Sequence, residues 1–239
     1  MRFQPVKCNM MRLSRKRNII EYKYKLKGIE LEYLDSIKYL GVNIKNNLHW
    51  GEHIDSICNK AYKILGLLKR NLSSCPQKVK LLAYKGLVRP ILEYACAAWD
   101  PHQKYLQDKL EQVQHQAARF ITSNYSTEPG TMTKMLKELK LEPLIVRRKN
   151  CRLILLCKGL QNQAAIPINT LQRPKRTTRN MHSEHFINLP SRTDTLKSSF
   201  LPNTIRDWNL LPSEVIEKSK ASKSPVATFA SIVKGWAQC

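Results

Sequence analysis

The chain has 239 residues, enough for one large domain or two small ones, and 42% of them are hydrophobic, which supplies a core and excludes wholesale disorder. Lys and Arg total 41 against 18 Asp and Glu, a formal net charge of +23. A surface that basic repels itself and calls for an anionic partner, nucleic acid first and an anionic membrane second.

Residues 1 to 48 read as strands. In "FQPVKCNMMRLS" the side chains of Val6, Cys8, Met10 and Arg12 fall on one side. "IEYKYKLKGIELEYL" alternates, with Tyr22, Tyr24 and Leu26 on one face and Ile29 and Leu31 after a Lys27-Gly28 turn, a hairpin signal. "IKYLGVNI" is a third strand, short and apolar.

From residue 50 the period changes. Ile54, Ile57, Ala61, Ile64, Leu65, Leu68 and Leu72 recur at helical spacing and predict a helix of roughly five turns. Pro76 suits the first turn of a second helix, which carries the apolar residues Val79, Leu82, Ala83, Leu87, Val88, Ile91, Leu92 and Ala95. Pro90 lies inside that pattern and should kink it near Arg89. A third helix over 103–122 buries Leu106, Leu110, Val113, Ala117, Phe120 and Ile121. Three amphipathic helices with short links predict an antiparallel bundle.

A loop over 124–131 precedes a short helix with Met132, Met135, Leu136 and Leu139, and then a longer one from about Pro143 to Gln161. Residues 162 to 195, rich in Pro, Thr and Arg, read as a mobile basic connector. "SSFLPNTIRDWNLLPSEV" regains an amphipathic pattern, and a last helix is expected over 225–236. The fold class expected is α+β, mostly α.

The positive charge is clustered. No acid occurs between Asp55 and Glu93, where Lys60, Lys63, Lys69, Arg70, Lys78, Lys80, Lys85 and Arg89 fall. None occurs between Glu142 and Glu184 either, a window holding Arg147, Arg148, Lys149, Arg152, Lys158, Arg173, Lys175, Arg176 and Arg179. Solvated lysine faces explain one such window; together with the acid-free first twenty residues they point to a polyanion-binding surface.

The seven cysteines are odd in number and form no C-x-x-C, which fits neither a disulfide framework nor a zinc knuckle. Reduced thiols imply a protein of the nucleus or cytoplasm. No apolar run is long enough to cross a bilayer, so no membrane partner is expected. Phosphate-loop, nucleophile-elbow, dinucleotide and zincin motifs are all missing. His49 and His53 share i, i+4 spacing but lack a third ligand nearby, and no metal site is assigned. The six aspartates, Asp35, Asp55, Asp100, Asp108, Asp194 and Asp207, include no adjacent pair of the kind a two-metal polymerase or nuclease needs.

In this order, "MRFQPVKCNMMRLSRKR", "LDSIKYLGVNIKNNLHWGEHID", "LVRPILEYACAAWDP", "LEQVQHQAARFI", "RRKNCRLILLCK" and "SFLPNTIRDWNLLPSEV" span almost the whole chain. The chain resembles the C-terminal end of the reverse transcriptase of non-LTR retrotransposons of the jockey-like group. The resemblance implies that residues 1–48 are a palm remnant, with Lys7 near the phosphates of an incoming nucleotide. It implies that Tyr39-Leu40-Gly41 is the primer grip, that 49–124 form the thumb, and that 125–239 are a C-terminal extension. The family's aromatic-Ala-Asp-Asp strand, which holds its Mg²⁺, has no counterpart in these residues, so no cofactor and no catalytic residue are assigned.

The expected partners are RNA and DNA as a template–primer duplex. The missing half of the polymerase, or a second copy pairing through exposed strand edges, is a further candidate. The expected contacts are Lys7, Tyr39, Leu40, Gly41, Lys60, Lys63, Lys69, Arg70, Lys78, Lys85, Arg89, Arg147 and Arg148. Tyr62, Tyr84, Trp50, Trp99 and Trp208 are assigned to packing. Two alternatives stay open: a domesticated helical module binding RNA or protein, and part of an active polymerase whose catalytic half lies elsewhere.

Overall fold

The structure is a computed structural model, and the residues it describes are 4, 8–14, 22–176, 178–179 and 181–236. Lys7 and Val6 lie outside them. The fold is α+β and mostly helical, in two compact units, Met1–Ile57 and Cys58–Cys239.

Among the described residues the first unit holds three two-stranded ladders. β1 (Asn9–Met10) runs parallel to β4 (Glu32–Tyr33). β2 (Lys25–Leu26) and β3 (Ile29–Glu30) form the hairpin expected at Lys27-Gly28, and both turn residues are left-handed, at φ 53° and 81°. That pair of positive φ values is the two-residue turn whose twist matches its strands.

"IKYLGVNI" is not one strand. It folds back as β5 (Ser36–Tyr39) and β6 (Val42–Lys45), with Leu40 at φ 46° and Gly41 at φ 85° between them. The continuous apolar run concealed a turn that depends on one glycine. Asn46 closes the hairpin: its N–H donates to the Asp35 carbonyl (2.8 Å) and its Nδ2 to Asp35 Oδ1 (2.7 Å). The Asn43 N–H donates to Nδ1 of the buried His53 (3.2 Å), fastening β6 to the start of α1 (Gly51–Asn71).

The second unit contains the rest of α1 and ten more helices. α2 (Gln77–Ala83) passes into a π-helical turn, Tyr84–Val88, and then α3 (Arg89–Glu93). The Arg89 N–H reaches back five residues to the Tyr84 carbonyl. Pro90 has no N–H for the ladder and its ring crowds the preceding turn, so the backbone widens just before it. The predicted disturbance near Arg89 is therefore a π-turn.

The buried line of this segment differs from the expected one. It runs through Lys80, Tyr84, Val88 and Leu92, while Val79, Leu82 and Leu87 are exposed. Lys80 is buried by its stem, with Nζ 5.1 Å from the Phe120 ring centroid and 3.4 Å from Ser123 Oγ. Its charge hid it from a reading based on apolar residues.

α4 (Cys96–Trp99), α5 (Lys104–Thr122), α6 (Thr131–Glu138) and α7 (Leu144–Leu160) follow. Buried Tyr84 donates its hydroxyl to Gln114 Oε1 (2.8 Å), and Gln114 Nε2 donates to the Glu142 carbonyl (2.9 Å), so the polar core of the bundle is paired. α7 packs against α4 and α5 and also against α9 (Phe200–Asn209) and α11 (Pro225–Trp236). This shared helix ties the two halves of the compact unit Cys58–Cys239 together.

α8 (Asp194–Lys197) leads into α9, and α10 (Ser213–Lys220) packs on α11. Their core comprises Leu153, Leu156, Phe186, Ile205, Trp208, Val215, Phe229 and neighbours. The segment 162–195 is irregular, with one 3₁₀ turn at Ile168–Thr170, but its second half is tied down. Buried Phe186 belongs to the core, Trp208 Nε1 donates to the Glu184 carbonyl (2.9 Å), and the Asn209 amide brackets both backbone groups of Phe186. Buried His182 accepts the Glu184 N–H at Nδ1, which leaves Nε2 to donate to the Trp208 carbonyl (3.0 Å). Two histidines and a phenylalanine among polar neighbours carry no period, so composition alone read as linker.

Candidate nucleic-acid interface

On α1 the buried positions Cys58, Ala61, Leu65 and Leu68 follow helical spacing and face inward. The Cys58 thiol donates to the Lys109 carbonyl on α5 (3.8 Å). Advancing 100° per residue places Lys60, Lys63, Leu67 and Arg70 together on the opposite side, and all four are exposed. Asn59 and Asn71, also exposed, flank this stripe, and no carboxylate occurs on α1 after Asp55. The stripe is thus a row of solvated cations with one apolar residue in it. Lys69 is half-buried and lies off it, and Lys78 on α2 is exposed.

A second cluster is different in kind. Arg89 from α3 and Arg147 from α7 gather around Glu93, and Lys85 from the π-turn lies within the fields of the two guanidinium groups. Arg147 forks onto the Glu93 carboxylate through Nε and through Nη2 (3.0 Å), and Nη1 stands 3.5 Å from Glu142. Arg89 Nε is 3.9 Å from the same Glu93 carboxylate. Desolvation and then the fields of Arg89 and Arg147 lower the Lys85 pKa. Arg89 and Arg147 share two carboxylates, so part of this charge is spent within the fold.

Arg148, expected among the ligand contacts, is fully buried, with Nε donating to Asp100 Oδ1 (2.7 Å). Arg152, also buried, binds Asp100 Oδ2 (2.9 Å) and Asp207 (3.0 Å), and Lys149 stands 3.4 Å from Asp207. Burial demanded a counter-ion, and Asp100, from the turn after α4, supplies it. A cleft of about 410 Å³ beside this network is lined by Asp100, His102, Lys149, Arg152, Arg206 and Asp207, with both aspartates already held by cations.

In the first unit the β5–β6 tip exposes Tyr39 (63%) and Leu40 (74%). Leu40 sits in the left-handed region, which costs a residue with a β-carbon roughly 1–2 kcal/mol. A bulky apolar residue kept exposed and strained at a hairpin tip is a candidate contact. Lys7 lies outside the described residues. Tyr84, Trp99 and Trp208 are buried, as assigned, and Trp99 Nε1 donates to the Tyr94 carbonyl (2.8 Å).

Lys158, Arg173, Lys175, Arg176 and Arg179, named in the acid-free window but not among the expected contacts, are exposed. The last four lie in a segment that had no predicted element to place them on.

No family model matches the chain, and no solved structure does. Among curated proteins the chain is similar to a probable RNA-directed DNA polymerase from transposon BS of Drosophila melanogaster, 27% identical over 100 residues. The match covers 41% of this chain and 11% of that protein. The similarity, though weak, supports a related origin for a reverse-transcriptase-like region here.

Proposed function

We propose that this chain is the thumb and C-terminal extension of a retrotransposon-type RNA-directed DNA polymerase, which holds template–primer duplex and does not itself polymerise. The observation that carries this reading is the α1 stripe: Lys60, Lys63 and Arg70 on the face opposite the buried one. Such a row suits the phosphate backbone of a duplex, which it would track without reading sequence. The exposed Tyr39-Leu40-Gly41 tip fits a role in steering a primer end. RNA–DNA hybrid is the expected ligand, in the cytoplasm or nucleus.

The aspartates favour a non-catalytic role. Two-metal transfer needs carboxylates held together and open to the ions. Asp100 and Asp207 are taken by Arg148, Arg152 and Lys149, Asp108 pairs with Lys104 (2.9 Å), and Asp35 accepts from Asn46. Among the described residues no three ligating side chains gather in one place. The donor set therefore does not fit the pair of Mg²⁺ ions that a polymerase uses. Primer extension with Mg²⁺ and an annealed RNA template, run beside hybrid binding, tests both halves. The expected result is a bound primer that is not extended; extension by the isolated chain overturns the non-catalytic half, and loss of hybrid binding overturns the rest.

A further inference from the structure

The turn after α4, one side of α7 and one side of α9 border the cleft of about 410 Å³. Its charges do not balance. Asp100 is shared by Arg148 and Arg152, and Asp207 by Arg152 and Lys149, so three cations already meet two carboxylates. Arg206 adds a fourth cation, and its bonds go to neutral groups. Its Nη2 donates to the Lys197 carbonyl (3.0 Å) and to Asn203 Oδ1 (3.1 Å). Arg206 Nε is buried with no hydrogen-bond partner among the described residues, and the same holds for Nη1 and Nη2 of Arg148. An unpartnered buried donor on a charged group is costly, and a bound ion or water is one remedy.

We propose that this cleft binds a phosphate monoester, with Lys149 and Arg206 as its charged contacts. The sign of the ligand follows from the surplus. A cation would meet two carboxylates that are already held, whereas a phosphate monoester, close to doubly charged at neutral pH, offsets the two positive charges left over.

The donors suit a group with several acceptor oxygens. The Lys149 ammonium carries three protons and stands 3.4 Å from Asp207. Asn203 gives its Oδ1 to Arg206, which leaves its Nδ2 to donate, and the Ser198 hydroxyl lines the same cleft. Pro101, Ile145 and Val146 supply an apolar wall for the organic part of the ester. The volume is that of a small-molecule site. A nucleotide joins a phosphate to a flat organic ring, and it comes either free or as the 5′-phosphorylated end of a strand.

The test is isothermal titration calorimetry of the full chain at an ionic strength fixed with chloride. The probes are adenosine 5′-monophosphate, inorganic phosphate and adenosine. The first two should bind, and adenosine should be far weaker. Lys149→Gln, at a partly exposed position, should keep the circular dichroism spectrum of the parent and bind the monophosphate about tenfold more weakly. Arg206→Gln should act likewise. Affinity for RNA–DNA hybrid should be unchanged in Lys149→Gln. The triple variant Lys60→Ala, Lys63→Ala, Arg70→Ala should bind the monophosphate as the parent does, so failure at the cleft is distinguishable from failure at α1. In that triple variant, a strand-end site prefers a 5′-phosphorylated oligonucleotide to its 5′-hydroxyl form, and a free-nucleotide site holds the two equally. Adenosine that binds as tightly as its monophosphate overturns the proposal. So does monophosphate affinity that is equal in parent and Lys149→Gln, or that disappears in the α1 triple variant.

Discussion

α1 and α7 are both basic helices, yet they use their cations in opposite ways. α1 turns Lys60, Lys63 and Arg70 to water, whereas α7 turns Arg148 and Arg152 into the protein and holds Arg147 against Glu93 and Glu142. The difference comes from packing. α1 has one buried face, while α7 is covered by α4, α5, α9 and α11, so any cation on most of its circumference must find a carboxylate. A window free of acids in sequence is thus not free of them in space: Glu93, Asp100 and Asp207 come to α7 from other elements. Positive charge marks a nucleic-acid surface only where the fold leaves it uncompensated.

The sharpest way to break the comparison is at Asp100. Asp100→Ala strands the buried Arg148 guanidinium, while Arg152 keeps Asp207, and should cost about 3–5 kcal/mol in urea unfolding. Arg148→Met should cost clearly less, because Arg152 still holds Asp100 and the methionine fills most of the volume. Equal losses for the two would mean that the pair counts only by its packing. On α1, Leu65→Ala removes a residue that is 1% exposed and should cost about 2–5 kcal/mol by the same measurement. Leu40→Gly should do the reverse on a smaller scale, stabilising the β5–β6 turn by about 1 kcal/mol while weakening primer-end contact. Amide exchange at Ile44 and Asn46 reads the first effect, and binding of recessed-end against blunt hybrid reads the second.

The helices were legible because their apolar spacing is regular: α1, α5, α7 and α11 begin and end within a residue or two of the expected places. Hydropathy alone read the β5–β6 segment as one strand, because an exposed leucine in the left-handed region looks like strand interior; a hairpin at Tyr39-Leu40-Gly41 came from the family resemblance. Lys80 and Arg148 were misplaced for one reason, that a charged residue buried by a long-range partner has no local signature. The anchoring of 182–189 was missed likewise, since its partners Trp208 and Asn209 lie some twenty residues on. At the candidate interface the sequence offered the cations of α1 and α7 alike, and three-dimensional packing separates the exposed set on α1 from the buried set on α7.

The smallest expected effect on stability belongs to the variant that matters most for function. Lys60→Ala, Lys63→Ala and Arg70→Ala together touch only solvated positions and should change unfolding by no more than about 0.5 kcal/mol each. The decisive measurement is the affinity of parent and triple variant for an RNA–DNA hybrid across a salt series. The parent should lose affinity steeply with salt. The triple variant should bind more weakly at low salt, with a log–log slope shallower by about 0.9 for each phosphate contact removed. Identical slopes and affinities for the two proteins, or binding that ignores salt, would contradict the assignment of α1 as the duplex-holding face.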